Sequence, residues 1–399
     1  MTQEVWITGI GLVTALGEGI EAQWAGLATP ETWRARIDST SFAPFHIHPV
    51  AGLDLDRQIP KKGDQRAMGP LMHYGVYAAG LALADAGIAG DAEALGKVDI
   101  SVASPGGERD IAADEQIFAA MESANDPGRV LNERLLADLR PTLFLAQLPN
   151  LFAGNISIVH GAIGSSRTFM GEEAAGIAAL RNGFLRVRAG QSEISLVGGC
   201  FNAARADSLL LYGPGGYLLD RPWAPLWSRP PAGMTLGSMG AFLVLEPAAL
   251  AARRGRRPHA RLLSVLADQT DRQPDAASRV AERQLQALPP TEAGGLAILS
   301  GASGAGAATG EERRWLAALT VRRGGLAVRG TAAALGHGME ASFLANLALA
   351  ASCAERGALF PPLAPEDPLE AEAGAIDRVL VTGWGHHRGE GLALVEAAR

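Results

Sequence analysis

Asn155-Ile156-Ser157-Ile158-Val159-His160-Gly161, followed by Ala162, is the stretch on which the reading of this chain turns. Its β-branched run predicts a short buried strand, and Gly161 supplies a tight turn at its end. A strand that turns sharply into a helix presents the helix's first N–H groups, which favour an anion or an activated nucleophile. Ala162 stands where that nucleophile is expected, and a methyl group cannot attack a carbonyl. The junction is built for chemistry and carries none.

Outward from this point, strand-like and helix-like segments alternate. Val5-Trp6-Ile7 predicts a first strand that ends in a turn at Thr8-Gly9-Ile10-Gly11. Leu71 to Ala86 has the spacing of a packed helix closed by Gly87. Strands are expected at Val98–Ala103, Ile156–Val159, Ile194–Val197 and Phe242–Leu245. Around Arg253–Pro258 the chain changes register, and a second set begins, with strands expected at Ala260–Leu266, Leu296–Leu299, Val379–Val381 and Leu392–Val395. Gly338–Ala350 is helical in composition, 291–310 reads as containing loop, and 361–374 as an acidic, proline-bearing surface segment. The alternation predicts an α/β layered fold with two related halves, 1–250 and 251–399.

The bulk properties narrow the function. The chain has 399 residues, 48% hydrophobic and 19% charged, which is a globular composition long enough to bury a large core. A net charge of -7 argues against a nucleic-acid partner. Its densest basic run, Arg253-Arg254-Gly255-Arg256-Arg257, either tops a solvated helix end or docks an acidic carrier. Two cysteines, Cys200 and Cys353, make neither a disulfide framework nor a metal site, and they fit a reducing compartment. With no leader ahead of Val5 and no 18-residue apolar run, a cytoplasmic location is expected.

Four motifs then carry a resemblance. They are Trp6-Ile7-Thr8-Gly9-Ile10-Gly11-Leu12-Val13-Thr14-Ala15-Leu16-Gly17; Arg66-Ala67-Met68; Arg221-Pro222-Trp223; and Gly237-Ser238-Met239-Gly240-Ala241 leading to Val244-Leu245-Glu246. Over essentially the full length the chain resembles the β-ketoacyl-acyl-carrier-protein synthases of the thiolase-like condensing enzymes. The resemblance implies a thiolase-like layered fold and a site of one cysteine, two histidines and a lysine. It places the cysteine at Ala162, or at Ile163 when the segment is anchored on Gly171 downstream. The first histidine falls at Ser300, in Leu299-Ser300-Gly301-Ala302-Ser303, with Glu311 at the family's glutamate. The lysine falls at Ala332, and only His337 survives, as a residual oxyanion donor or a satisfied structural histidine. Gly383-Trp384-Gly385-His386-His387-Arg388-Gly389 resembles the family's gating loop, with Trp384 as the acyl gate. There His386, His387 and Arg388 replace small residues, to narrow a pocket, form an interface or pair on a metal for which the sequence spaces no acidic partner.

Substitute chemistry has two sources. Ser165 and Ser166, beside Arg167 and downstream of His160, are nucleophile candidates if His160 serves as base, and helix-capping residues otherwise. Glu172 and Glu173 either line a polar pocket or interface, sit on a less buried helix face, or abstract a proton. The resemblance therefore implies a degenerate ketosynthase-like subunit, inactive alone, that partners an active β-ketoacyl synthase. It would shape acyl-chain elongation in fatty-acid or specialised lipid biosynthesis, by decarboxylative Claisen condensation. The partners expected are an acyl carrier protein, acyl chains and an intact synthase in a heterodimer, or a second copy in a homodimer, with no cofactor and no metal. The alternatives are an autonomous, unconventional synthase or acyltransferase, and a non-catalytic carrier-binding protein.

Overall fold

The first strand does not stop at a turn. In the computed structural model, which describes residues 2–139, 143–231, 233–271, 273–290 and 295–398, β1 runs unbroken over Val5–Thr14. Gly9 and Gly11 are interior strand residues, needed for a neighbour and not for a turn. A Cβ on Gly11 would collide with the Ala78 carbonyl oxygen, and one on Gly9 with that of Ala82. Both carbonyls belong to α1 (Pro70–Asp85), which lies directly on the strand. Pro70 starts that helix at a position that needs no N–H donor, and Gly87 follows its end with φ of +64°.

Nine more strands complete the main path of the sheet: β2 (Val98–Ala103), β3 (Ser166–Phe169), β4 (Ile194–Phe201), β5 (Met239–Pro247), β6 (Ala260–Asp268), β7 (Leu296–Ser300), β8 (Ala327–Gly330), β9 (Arg378–Trp384) and β10 (Glu390–Glu396). Their spatial order is β8-β7-β9-β10-β6-β1-β5-β4-β2-β3, with the two-residue strand Gly17–Glu18 folded back on β1. The two sides of this sheet repeat one another. From the outside inward, β3-β2-β4-β5-β1 pair as parallel, parallel, antiparallel, antiparallel, and β8-β7-β9-β10-β6 do the same. A short antiparallel seam joins them, from Val5 opposite Leu262 to Ile7 opposite Ala260.

The stretch expected to be a strand at Asn155–Gly161 is instead the end of α2 (Leu151–His160). Phe152, Ala153 and Ile156 form one buried helical face, while Ile158 is 66% exposed. Gly161 closes the helix in the left-handed conformation, φ 79°, its N–H bonded to the Ser157 carbonyl at 2.9 Å. β-Branching disfavours a helix by only a few tenths of a kcal/mol per residue, and burying Phe152 and Ile156 outweighs that.

Three further helices matter for the site: α3 (Glu173–Arg188), α4 (Gly306–Arg322) and α5 (Ser342–Arg356). α5 begins later than its composition suggested, after a 3-10 turn at Met339–Ala341. Every residue of α5 from Phe343 to Ala354 is buried. α3 packs on β2, β4 and β6, and α5 on β5 and β9, so each touches strands of both sides of the sheet. Of the stretch read as loop, 291–294 lie outside the described residues, and the remainder contains β7 and the start of α4.

One charged contact ties the sides together outside the core. His259 bonds Asp85 at the end of α1 and Glu355 in α5, each at 2.7 Å. Burial alone would lower this imidazole, but the two carboxylates override it and hold His259 up at about 9. The folded value lies above the unfolded one, so the stabilisation is complete below about pH 6.5 and is lost as pH rises through about 9. We expect the stability difference between wild type and His259→Gln to shrink by about 1–2 kcal/mol between roughly pH 7 and pH 10 in urea unfolding. A pH-independent difference would refute the assignment.

Candidate functional site

After β3 the chain turns through Met170, Gly171 and Glu172 into α3. Glu172 holds φ 56° and ψ −137°, a conformation that costs a non-glycine residue about 1–3 kcal/mol. This is a sharp strand-to-helix junction, with Glu172 just before the helix and Glu173 as its first residue. Ala162 is elsewhere. It is fully buried in the apolar cluster that contains Leu95, Val98 and Ile156, and it precedes a strand and not a helix. Ile163, the other position considered for the cysteine, is 71% exposed.

Glu173 is 4% exposed and accepts three hydrogen bonds: from His337 Nε2 at 2.8 Å, from the His386 backbone N–H at 2.9 Å and from His386 Nδ1 at 3.0 Å. Burial alone would raise its carboxyl, but the hydrogen bonds and charges of His337 and His386 hold it well below the usual carboxylate range. A carboxylate so held is a weak base and a weak nucleophile. His337 is fixed through its backbone, its N–H to the Thr235 carbonyl at 2.7 Å and its carbonyl to the Gly237 N–H at 3.0 Å. His386 is fixed by the edges of two tyrosines, with ring centroids 5.5 Å from Tyr212 and 5.0 Å from Tyr217.

Ser300, Ala332 and His337 come together around one cavity, with Thr331, Met239 and Asn346. Its volume is about 10 Å³, enough for roughly one water and far too little for an acyl chain. Ser300 Oγ donates to Glu312 Oε1 at 2.8 Å. The glutamate expected beside it, Glu311, instead accepts from the Ser278 N–H at 2.7 Å.

The serine candidates do not form a nucleophile. Ser165 and Ser166 lie at the start of β3, not on a helix. Ser165 Oγ donates to Asp99 Oδ1 at 2.8 Å and accepts from Arg167 Nη1 at 3.0 Å. His160 is turned away, its Nε2 bonded to the Val76 carbonyl at 2.8 Å and its imidazole lowered by burial. Trp384 is 2% exposed at the end of β9, its ring 5.8 Å from that of Trp315, so it is a core side chain here and not a gate. The residue that this loop sends into the site is His386. Cys200 is fully buried, and burial first, then the charges of Glu340 and Glu108, push its thiol well above the ordinary range.

Sequence reasoning missed two members of the site. Tyr212 donates its hydroxyl to Glu172 Oε1 at 3.0 Å. Glu340 is 3% exposed and accepts the Glu172 N–H at 3.2 Å. Burial, and next the charges of Glu173 and Glu172, push its carboxyl up to about 8. The available signal for Glu340 was its place three residues after His337.

A family model described as "Beta-ketoacyl synthase, N-terminal domain" matches residues 2–251. The chain is 23% identical over 269 residues to 3-oxoacyl-[acyl-carrier-protein] synthase 2 of Vibrio cholerae serotype O1, a match covering 65% of this chain and 62% of that protein. It is 27% identical over 265 residues to the tetracenomycin polyketide synthase ketoacyl synthase beta subunit of Streptomyces glaucescens, covering 63% of this chain and 60% of that one. The chain thus spans about three-fifths of the length of these two curated relatives. Among solved structures, the ishigamide ketosynthase/chain length factor superposes with a TM-score of 0.77 at 21% identity, and a beta-ketoacyl synthase from Burkholderia phymatum STM815 with 0.77 at 20%. Each match covers 100% of both chains and shows the fold, a thiolase-like α/β arrangement. Among the described residues no helix is long and apolar enough to cross a membrane.

Proposed function

The chain belongs to the β-ketoacyl synthase family, and from that premise we propose that it is a ketosynthase-like subunit without condensing chemistry of its own. It works beside an intact, cysteine-bearing synthase in decarboxylative condensation on an acyl carrier protein. The observation that carries this reading is Glu173. At the start of α3, where an acyl chain would have to be attacked, a buried carboxylate is locked between His337 and His386. Its relatives support it, one being a ketoacyl synthase beta subunit and one a ketosynthase/chain length factor.

The edge of the sheet supports a pairing partner. β3 is the outermost strand of its side, so one row of its backbone groups faces outward. Exposed apolar side chains occur on the segments around it, with Ile158 and Ile163 just before and Met170 just after. Replacing Ile163 and Met170 together with aspartate is expected to weaken association with the partner at least about 10-fold. Analytical ultracentrifugation of the mixed proteins would read this, and unchanged association would remove β3 from the interface.

The two cysteines are unpaired and buried, which suits a reducing compartment, and the cytoplasm is the location this reading implies. The units 1–250 and 251–399 are proposed as its two structural halves. The deciding experiment supplies acyl- and malonyl-carrier protein to the purified chain, with and without a cysteine-bearing ketosynthase, and records carbon dioxide release and product mass. Turnover is expected only with the partner. Condensation by this chain alone would overturn the proposal.

A further inference from the structure

The main sheet has two edges, and the chain treats them differently. β3 is the outer strand of one side and β8 of the other. The carbonyls of Ser165 and Phe169 turn toward β2, where they accept from the N–H groups of Ile100 and Ser104. Alternation along β3 then turns the backbone of Ser166 and Thr168 outward, and among the described residues no further segment bonds to it. At β8 the outward groups are taken. The Val328 N–H goes to the Leu369 carbonyl at 3.0 Å, and the Gly330 N–H goes to Glu370 Oε1 at 3.0 Å. The Val328 carbonyl accepts from Nη1 of Arg329 at 2.9 Å. We propose that residues 360–371 form a strap that closes the β8 edge against a second copy of this chain, so that association through sheet edges stops at a pair.

The strap is held at its ends and near its middle. Arg329 is 1% exposed, and it donates through Nε to the Phe360 carbonyl and through Nη1 to the Ala371 carbonyl, each at 2.9 Å. Glu370, also 1% exposed, accepts from the N–H of Leu363 at 2.6 Å, the N–H of Ala364 at 3.3 Å and Trp227 Nε1 at 2.9 Å, besides the Gly330 N–H. Arg313 of α4 pairs with Asp367 at 2.7 Å. Leu363 and Leu369 are buried in the main core. The stretch read from sequence as a proline-bearing surface segment is therefore a fixed cover over the sheet.

Its composition suits that task. Pro361, Pro362, Pro365 and Pro368 carry no N–H and resist strand pairing, so the strap satisfies β8 without offering a new edge of its own. An uncovered strand edge is a template for another chain. One open edge allows a pair, whereas two open edges on one molecule allow an assembly that does not close. The proposal takes β3 as the pairing edge, as the preceding reading does, and otherwise stands apart from any condensing activity.

Glu370→Ala tests it in the full chain, because it strands the N–H groups of Leu363, Ala364 and Gly330 and Nε1 of Trp227. Amide exchange at Val328 and Gly330 is expected to quicken at least about 100-fold. Sedimentation velocity should show assemblies that grow past a pair with concentration, where the wild type stops at a pair. Adding Ile163→Asp and Met170→Asp to Glu370→Ala should cut these assemblies back to pairs, now joined through β8. If Glu370→Ala fails to fold, Asp367→Ala replaces it, since that change frees the strap from Arg313 and removes the acceptor of the Leu369 N–H. Wild-type growth past a pair, unchanged exchange in the variant, faster exchange with no growth, or growth that the two aspartates leave intact would each overturn the strap. Failure of the turnover experiment above would count against the synthase partnership and would leave these results as they stand.

Discussion

Glu173→Ala is expected to lower the free energy of unfolding by about 3–5 kcal/mol. The substitution removes one acceptor and strands three donors: the Nε2 proton of His337 and the backbone and Nδ1 protons of His386. All three are buried, and water cannot replace the lost partner at this depth without opening the start of α3. Glu173→Gln keeps one acceptor oxygen and should lose about half as much. Urea unfolding measures both, and a loss below about 1 kcal/mol for the alanine variant would show that the cluster is not a stabilising unit. The same geometry directs where a thiol could react. Ala162→Cys would bury sulfur in an apolar cluster and is expected to be inert, whereas Glu173→Cys places it beside His337. With Ser300 and Ala332 unchanged, Glu173→Cys alone is also expected to show no condensation.

Gly11→Ala is the second large effect. The added methyl would press into the backbone carbonyl of Ala78, which cannot rotate away, so β1 and α1 must separate along their contact. A loss of about 3 kcal/mol, the upper range for overpacking, is expected. Gly96→Ala provides the opposite sign. That residue ends a short helix over Ala92–Gly96, its φ is not positive and a Cβ there meets nothing within 4 Å. It should stabilise by about 0.5 kcal/mol. If the two glycines respond alike in thermal unfolding, the close approach of α1 to β1 is not what Gly11 provides.

Buried strands were legible because an apolar run between turn signals leaves few alternatives. β2 matches its expected bounds, and β4 to β7, β9 and β10 enclose theirs. β3 was not legible, since Ser166-Arg167-Thr168-Phe169 is short and half polar, and only pairing with β2 makes it a strand. The error at α2 came from reading Gly161 as a turn after a strand when it is the left-handed cap of a helix. That one misreading moved the expected nucleophile position onto Ala162. Ser300, Ala332 and His337 were singled out by the glycine-rich frames around them, and the fold gathers them at one cavity. Glu173 was singled out with Glu172 as a carboxylate for a polar pocket or interface, but its pairing with His337 and His386 was not legible, because the two histidines come from segments far away in the chain.

The strand that fills the middle of the second side follows both of its neighbours in the chain. β10 lies between β6 and β9, in the interior of its side. During synthesis, β8, β7 and β9 can pair with one another, but an unfilled slot separates β9 from β6 until residue 396 has emerged. β1 and β5, by contrast, can pair once residue 247 has emerged. The first side can therefore close well before the second. A chain cut after Gly389 would leave β9 with no neighbour toward β6, and would cut the sheet through its middle instead of trimming its edge.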